Sequence, residues 1–249
     1  MMDISLFHTF SLFFAAMFAG ALNAIAGGGT FVTFPLLLLV GVPPVIANTT
    51  NKFALTFASL TGVLGFWREI RAIRPLLGFF LITAILGSIS GSVLLLLTPD
   101  TRFSQLVPWL MLSATLIFAF GSRLLRAVSR SRAPRWTIGA GQLAIGIYGG
   151  FFAAGMGILM MALYEVSGMK NLHEMNALKS VVGLGINTVS AITFLIVGII
   201  HWHIAAILII GALIGGYSGA MLSKKLPQKL LRAGIVLYGA SMTLYFFLR

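Results

Sequence analysis

Apolar residues run along this chain in long blocks separated by short polar or glycine-rich stretches. The blocks cover residues 4–26, 30–42, 45–67, 75–97 and 105–121, then 137–154, 158–168, 176–200, 204–222 and 230–248. A helix crosses a bilayer with roughly 20 consecutive apolar residues, so most of these blocks are predicted transmembrane helices. The 30–42 and 158–168 pieces are too short for ordinary spans. Each follows a glycine cluster, so each reads as the second limb of a broken helix or as a re-entrant hairpin. Trp67, Trp109, Trp136 and Trp202 fall at the ends of predicted spans, where an interfacial aromatic belt sits.

The pattern repeats. Sliding the chain against itself by 128 residues aligns the halves without a gap. Ala26-Gly27-x-Gly29 meets Ala154-Gly155-x-Gly157, Asn48 meets Asn176, and Pro99 meets Pro227. Gly87-x-x-Ser90-Gly91 falls on Gly215-x-x-Ser218-Gly219, and Ser113-x-Thr115-Leu116-x-Phe118 on Ser241-x-Thr243-Leu244-x-Phe246. Clustered matches at one offset predict two fused copies of one membrane unit, a construction common among transporters. The units are residues 1–121 and 137–249, joined by a basic linker at 122–136.

Composition agrees and narrows the class. Of 249 residues, 59% are hydrophobic and 9% charged, against about 25% charged in an ordinary soluble domain. Such a chain cannot cover a globular surface with water-compatible groups, which excludes a soluble nucleic-acid binder despite a net charge of +12. Disorder is excluded by the high hydrophobicity. With no Cys there is neither a disulfide framework nor a thiolate metal site. Residues 1–22 hold no Lys or Arg, so the first block lacks the n-region of a signal peptide and is expected to be a retained span.

Charge placement bears on topology. Arg123, Arg126, Arg130, Arg132 and Arg135 crowd the linker, as positive-inside loops do. If each glycine-broken region counts as one crossing, the repeats are parallel, and Lys224, Lys225 and Lys229 face away from that linker. If each region re-enters or crosses twice, the repeats invert, and Arg68, Arg71, Arg74, the linker arginines and the three lysines share one side. Equivalent loops also swap charge. Residues 68–74 are basic while their counterpart around His201-Trp202-His203 has no Lys or Arg, and 98–102 carry one Arg where 224–229 carry three Lys. Inversion predicts that swap, with loops 68–74, 122–136 and 224–229 cytoplasmic.

Two constellations are candidates for chemistry. The first is Asn23 with Gly27, Gly28, Gly29 and Thr30, echoed by Gly155 and Gly157. A glycine run inside a span frees backbone groups that only protein or a cavity can satisfy. A half-helix starting near Thr30 would aim its N-terminal amides and dipole at an anion; close helix packing is the alternative. The second is Asn48, Thr49, Asn51 and Lys52 with Asn176 and Lys179. An intramembrane lysine costs roughly 2.5–3.5 kcal/mol at mid-span, so both lysines are expected to converge on a shared cavity or else to snorkel. Ser90 and Ser218 read as parts of tight helix crossings. Asn187 and Gln142 read as hydrogen bonds between helices. Glu165 and Glu174 read as capping or interfacial groups, Glu174 through the cap-like Asn171-x-x-Glu174. His201 and His203 read as interfacial. No HExxH, GxSxG or Walker sequence is present, so an enzyme reading has nothing to stand on.

At residues 20–52 the sequence resembles a known family. Ala26-Gly27-Gly28-Gly29-Thr30, then Pro35, Gly41-Val-Pro-Pro and Ala47-Asn-Thr-Thr-Asn-Lys52 look like the first-half signature of the sulfite exporter TauE/SafE family. Gly149-Gly150-Phe-Phe-Ala-Ala-Gly155-Met-Gly157 and the Asn176 segment are similar to its second copy. The resemblance covers nearly the whole chain and departs at Met156 and Leu163. It implies a multi-pass permease that exports a small sulfur-containing or organic anion, such as sulfite or a sulfonate. The expected architecture is therefore an all-α polytopic protein of the bacterial inner membrane with two inverted repeats. Its partners would be a small anion and the lipid bilayer, with no nucleic acid and no cofactor. Coupling to a proton or sodium ion and homo-oligomerisation are compatible with that reading. A non-transporting scaffold or an anion channel are the alternatives.

Overall fold

A bilayer interior offers no water to backbone N–H and C=O groups, so a crossing segment must pair them within itself as a helix. The computed structural model describes residues 6–128, 133–222 and 228–248, and these form helices with no strand among them. In chain order they are α1 (Leu6–Ala26), α2 (Thr30–Leu39), α3 (Pro44–Gly65), α4 (Trp67–Ala72), α5 (Arg74–Leu96) and α6 (Asp100–Val128). Then follow α7 (Arg135–Phe151), α8 (Met156–Val166), α9 (Leu172–Val197), α10 (Trp202–Leu222) and α11 (Gln228–Leu248). Among the described residues, Leu6–Ala24, Arg74–Leu96, Asp100–Gly121 and Leu172–Val197 are long and apolar enough to cross a membrane. α3 has 22 residues but carries the polar run Asn48 to Lys52.

Local chemistry sets the boundaries. Pro44 and Pro75 occupy the first turns of α3 and α5, where a missing N–H costs nothing. Asp100 Oδ1 accepts from the Val45 amide at 2.9 Å, placing a carboxylate at the N-terminal end of α3. Asn171 caps α9, its Oδ1 accepting from His173 N and its Nδ2 donating to Glu174 Oε1, both at 3.0 Å. Two features differ from the expected blocks. A short α4 separates α3 from α5, and α6 runs from Asp100 to Val128, past both ends of the predicted 105–121. Three tryptophans stand at helix starts as expected, whereas Trp109 lies inside α6 because that helix begins early. Of the expected basic loops, Arg130, Arg132, Lys224 and Lys225 lie outside the described residues, as do the side chains of Arg123, Arg126 and Lys229. Arg135, at the first turn of α7, stacks over Phe79 at 4.9 Å.

Glycines govern how the helices meet. α1 packs along α10, and α5 along α7. A Cβ at Gly87 or Gly91 would overlap the carbonyls of Leu143 and Ile147, and one at Gly215 would overlap Met17. Small residues thus let backbones touch where no hydrophobic driving force separates helix from lipid. A shift of 128 residues carries the α1–α10 pair onto α7–α5. Ser90 and Ser218 in the same motifs turn outward and donate to the carbonyls of Leu86 and Ile214.

At the centre, α3 and α9 lie side by side and run in opposite directions. Thr50 meets His201, Ser59 meets Asn187, and Gly62 meets Ser180. α6 and α11 also run oppositely, with Thr115 and Thr243 hydroxyls 3.4 Å apart and Trp109 against Phe247. Ser59 and Asn187, like Thr115 and Thr243, are separated by 128 residues.

The two helix breaks also touch. Gly27 adopts φ +68°, and Ala153 and Gly155 both adopt +75°, conformations in which a non-glycine residue is strained. The Gly157 amide donates to Gly27 O at 3.4 Å, and a Cβ at Gly27 would stand 2.7 Å from Gly157 Cα. Phe118 fills the space beside Gly28 and near Gly155, and Phe31, Phe34, Phe103, Phe151 and Phe152 extend that aromatic cluster.

Gly27→Ala and Gly91→Ala are therefore expected to lower the melting temperature of detergent-purified protein, by overpacking worth about 1–3 kcal/mol each. Gly78→Ala, with nothing within 4 Å of the added Cβ, should leave it unchanged or raise it. Equal melting temperatures for Gly27→Ala and the parent would refute the backbone contact.

Candidate functional site

A small cavity of about 30 Å³, open at its mouth, lies beside the meeting point of the two breaks. Its walls come from the C-terminal end of α1 (Asn23, Ala24), the break (Gly27) and the last turns of α3 (Ala58, Ser59, Gly62). The start of α8 (Met156, Gly157, Met160) and the first half of α9 (Lys179, Ser180, Gly183, Asn187) complete it. On α9 the 4-residue spacing of Lys179, Gly183 and Asn187 puts all three on one face. The cavity thus lies toward the end of α3 that leads into Arg68, Arg71 and Arg74.

Three of its polar groups form a connected set. Ser59 Oγ donates to Leu55 O and accepts from Asn23 Nδ2 at 3.1 Å and Asn187 Nδ2 at 3.0 Å. Each amide nitrogen carries a second N–H. Lys179 is 5% exposed, and its Nζ donates to Asn176 Oδ1 at 2.9 Å. One cation, two amides and the Ser180 hydroxyl around a small space make a set of donors suited to a single small anion, with Ser59 holding the two amides in place.

The other polar run lies elsewhere. Asn48, Thr49, Thr50, Asn51 and Lys52 are all within 1% of full burial and belong to the opposite end of α3. There all but Asn51 bond the second half of the chain. Lys52 Nζ donates to Gly149 O at 2.5 Å and to Gly150 O, and lies 5.7 Å from the Phe194 ring. Asn48 Nδ2 donates to Phe151 O at 2.8 Å, Thr49 Oγ1 to Ile199 O at 2.8 Å, and Thr50 Oγ1 accepts from His201 N at 3.0 Å. Asn51 bonds the Thr33 hydroxyl. The carbonyls that receive Lys52 are those at the C-terminal, electronegative end of α7.

Of the residues singled out in the sequence, Asn23, Gly27, Gly157 and Lys179 line the cavity, and Asn176 orients Lys179. Gly28 and Gly29 pack against Phe118 and against Ala19 and Leu55. Thr30 and Gly155 are buried away from the cavity, Asn48, Thr49 and Lys52 form the inter-half cluster, and Asn51 bonds Thr33 within the first half. The two lysines do not converge. The first amides of α8 are engaged by protein, Met156 N with Ala153 O and Gly157 N with Gly27 O. Ser59 and Ser180 were not singled out, and Asn187 was read only as a hydrogen bond between helices, which it makes to Ser59 Oγ at 3.0 Å. Ser59 and Asn187 are an offset-128 pair, a signal that a search for polar residues facing their own counterparts would have found. Gln142 is fully buried, and its amide has no partner among the described residues, unlike the interhelical bond expected of it.

A family model described as "Sulfite exporter TauE/SafE" matches residues 12–246. A protein of Haemophilus influenzae named "Probable membrane transporter protein" is 31% identical over 244 residues, covering 97% of this chain and 95% of its own. "Probable membrane transporter protein YfcA" of Escherichia coli is 28% identical over 236 residues, covering 93% and 87%. "Probable membrane transporter protein ORF9" of a Sinorhizobium species is 25% identical over 247 residues, covering 98% and 94%. No solved structure matches the chain.

Because Lys52 neutralises two carbonyls at the end of α7, Lys52→Met should destabilise the fold, by about 1–3 kcal/mol for unpaired buried groups. Thermal unfolding of the purified variant checks this. A variant as stable as the parent would mean that Lys52 does not hold that helix end.

Proposed function

The chain belongs to the sulfite exporter TauE/SafE family and is a multi-pass membrane transporter, and from that premise we propose that it moves a small sulfur-containing or organic anion by alternating access. The observation that carries the proposal is the cavity lined by Lys179, Asn23, Ser59, Ser180 and Asn187 between the halves of the chain. Lys179 supplies the charge, and the two amides, held by Ser59, together with the Ser180 hydroxyl supply neutral donors that fix orientation. A scaffold would have no use for such a space, and a dry interface between the halves is what it would prefer.

Residues 1–121 and 137–249 act as two inverted repeats. Antiparallel pairing of α3 with α9 and of α6 with α11 supports inversion, since equivalent helices of parallel repeats would run the same way. Contacts at Ser59–Asn187 and Thr115–Thr243 support a pseudo-two-fold axis through the centre, lying in the membrane plane. The basic segments then share the cytoplasmic face, and the cavity lies toward that face.

The opposite end of α3 forms the external seal. Asn48, Thr49, Thr50 and Lys52 grip the second half through backbone carbonyls and an amide, and the phenylalanines around Phe118 fill the space beside them. Rocking one repeat against the other would break these bonds and open that side as the cavity closes. Outward movement of substrate follows if the anion loads from the cytoplasmic cavity. The Na⁺ or H⁺ gradient that drives the cycle acts on this same rocking equilibrium.

Proteoliposomes holding the purified protein are expected to release sulfite or short sulfonates faster than empty vesicles under an imposed proton or sodium gradient. Lys179→Met should weaken anion binding about ten- to a hundredfold, the worth of a charge-assisted hydrogen bond. Flux indifferent to both gradients would mean a channel, and no flux of any small anion would sink the transport reading. Sidedness has its own measurement. In this cysteine-free chain, Arg71→Cys and Lys225→Cys should both be labelled by an impermeant thiol reagent from the cytoplasmic face only. Labelling from opposite faces would mean parallel repeats.

A further inference from the structure

The glycines of this chain divide by what an added Cβ would meet. At Gly20, Gly87, Gly91, Gly146, Gly150, Gly211 and Gly215 it would run into a neighbouring backbone, so packing requires glycine there. At Gly65, Gly78 and Gly234 it would meet nothing within 4 Å, and these positions lie on the outside of the bundle. Gly62 and Gly183 fit neither group. Both are buried, yet a Cβ at Gly62 would find Ser180 Oγ at 3.5 Å, and one at Gly183 only Met156 Cε at 4.0 Å. Alanine would fit at either without moving a neighbour, and glycine inside a helix is the less stable choice.

What these two glycines keep is empty volume. Both line the cavity, from the neighbouring helices α3 and α9, and Gly183 sits one turn from Lys179 and one turn from Asn187. Beside Ser180, which faces Gly62, and Met156, which faces Gly183, the lining includes apolar Met160, Ala24 and Ala58. An inorganic oxyanion held by Lys179 and its neighbouring donors would not need that surface. A short organic group attached to the anionic head would bury against it, and unbranched thioethers can adapt to its shape.

We propose that Gly62 and Gly183 set the size limit on the organic portion of the transported anion, by holding open the apolar part of the cavity beside Lys179. This rests on reading that cavity as the substrate site. The ligand class is a monoanion with a short apolar tail, such as a small alkanesulfonate or carboxylate. A dianion would leave one charge without a partner against the single lysine.

The test uses purified full-length protein and the series from sulfite and methanesulfonate to hexanesulfonate, with binding measured calorimetrically. Affinity of the parent should rise about threefold to fourfold per added methylene while the tail is buried, then fall once it outgrows the cavity. Gly62→Ala and Gly183→Ala should move the optimum to a shorter tail and shift the long-to-short affinity ratio by about tenfold, the scale of one methylene's space in a tight pocket. Lys179→Met should weaken every member of the series alike and leave that ratio unmoved. Ratios for the two glycine variants that match the parent's would overturn the inference, as would a parent that binds sulfite with no dependence on tail length among the sulfonates. A parent that binds nothing in the series would remove the substrate-site reading itself, and the inference with it.

Discussion

The rest of the molecule is arranged around one backbone contact, the meeting of the two helix breaks at Gly27 and Gly157. A broken helix inside a membrane is tolerable only if its freed amides and carbonyls find protein or water. Here each break supplies part of what the other lacks, and the approach is so close that no side chain can stand between them. That contact fixes the distance between the two halves, and α3 and α9 cross beside it. On one side the space around the crossing is lined by small and polar groups and stays open. On the other it is filled by phenylalanines and by the Lys52 cluster.

Much of the fold was legible because a membrane imposes a long, coarse hydrophobic signal. Ten predicted blocks correspond to ten helices, and Pro44, Pro75 and Asn171 mark starts in ways that local chemistry explains. The failures lie where that signal is ambiguous. α4 is a six-residue polar turn of helix between spans, too short for periodicity to register. The start of α6 at Asp100 is polar, and hydropathy alone cannot tell a helical first turn from a loop.

The site was only half legible, for a physical reason. Glycine breaks and intramembrane lysines announce that something polar happens in the interior, but not on which side of the break each group lies. Lys52 and Lys179 are one register step apart between the halves, with Ser180 and Asn51 at their equivalent positions. In a helix one step rotates a side chain by about 100°, and antiparallel packing sends equivalent helix ends to opposite sides of the centre. Lys52 therefore reaches the end of α7 while Lys179 reaches the cavity. Asn187 and Ser59 carry no motif; what identifies them is that each faces the other.

The chemistry of the Lys52 end bears on the proposed rocking of the two halves. A seal of interlocked apolar side chains would expose hydrocarbon to water on opening, at roughly 25 cal/mol per Å². Hydrogen bonds from Asn48, Thr49 and Lys52 to backbone carbonyls behave differently, because water can replace the protein partner on either side of the bond. The net worth of such a bond is only about 0.5–1.5 kcal/mol, somewhat more for the charged Lys52. If the halves rock as proposed, fixing that end partly through exchangeable polar contacts would keep an open conformation within a few kcal/mol, the range in which a ligand or ion gradient can shift the balance. α3 lies at the centre with buried polar residues at both ends: one end borders the cavity, and the other bonds the second half of the chain through Asn48, Thr49 and Lys52.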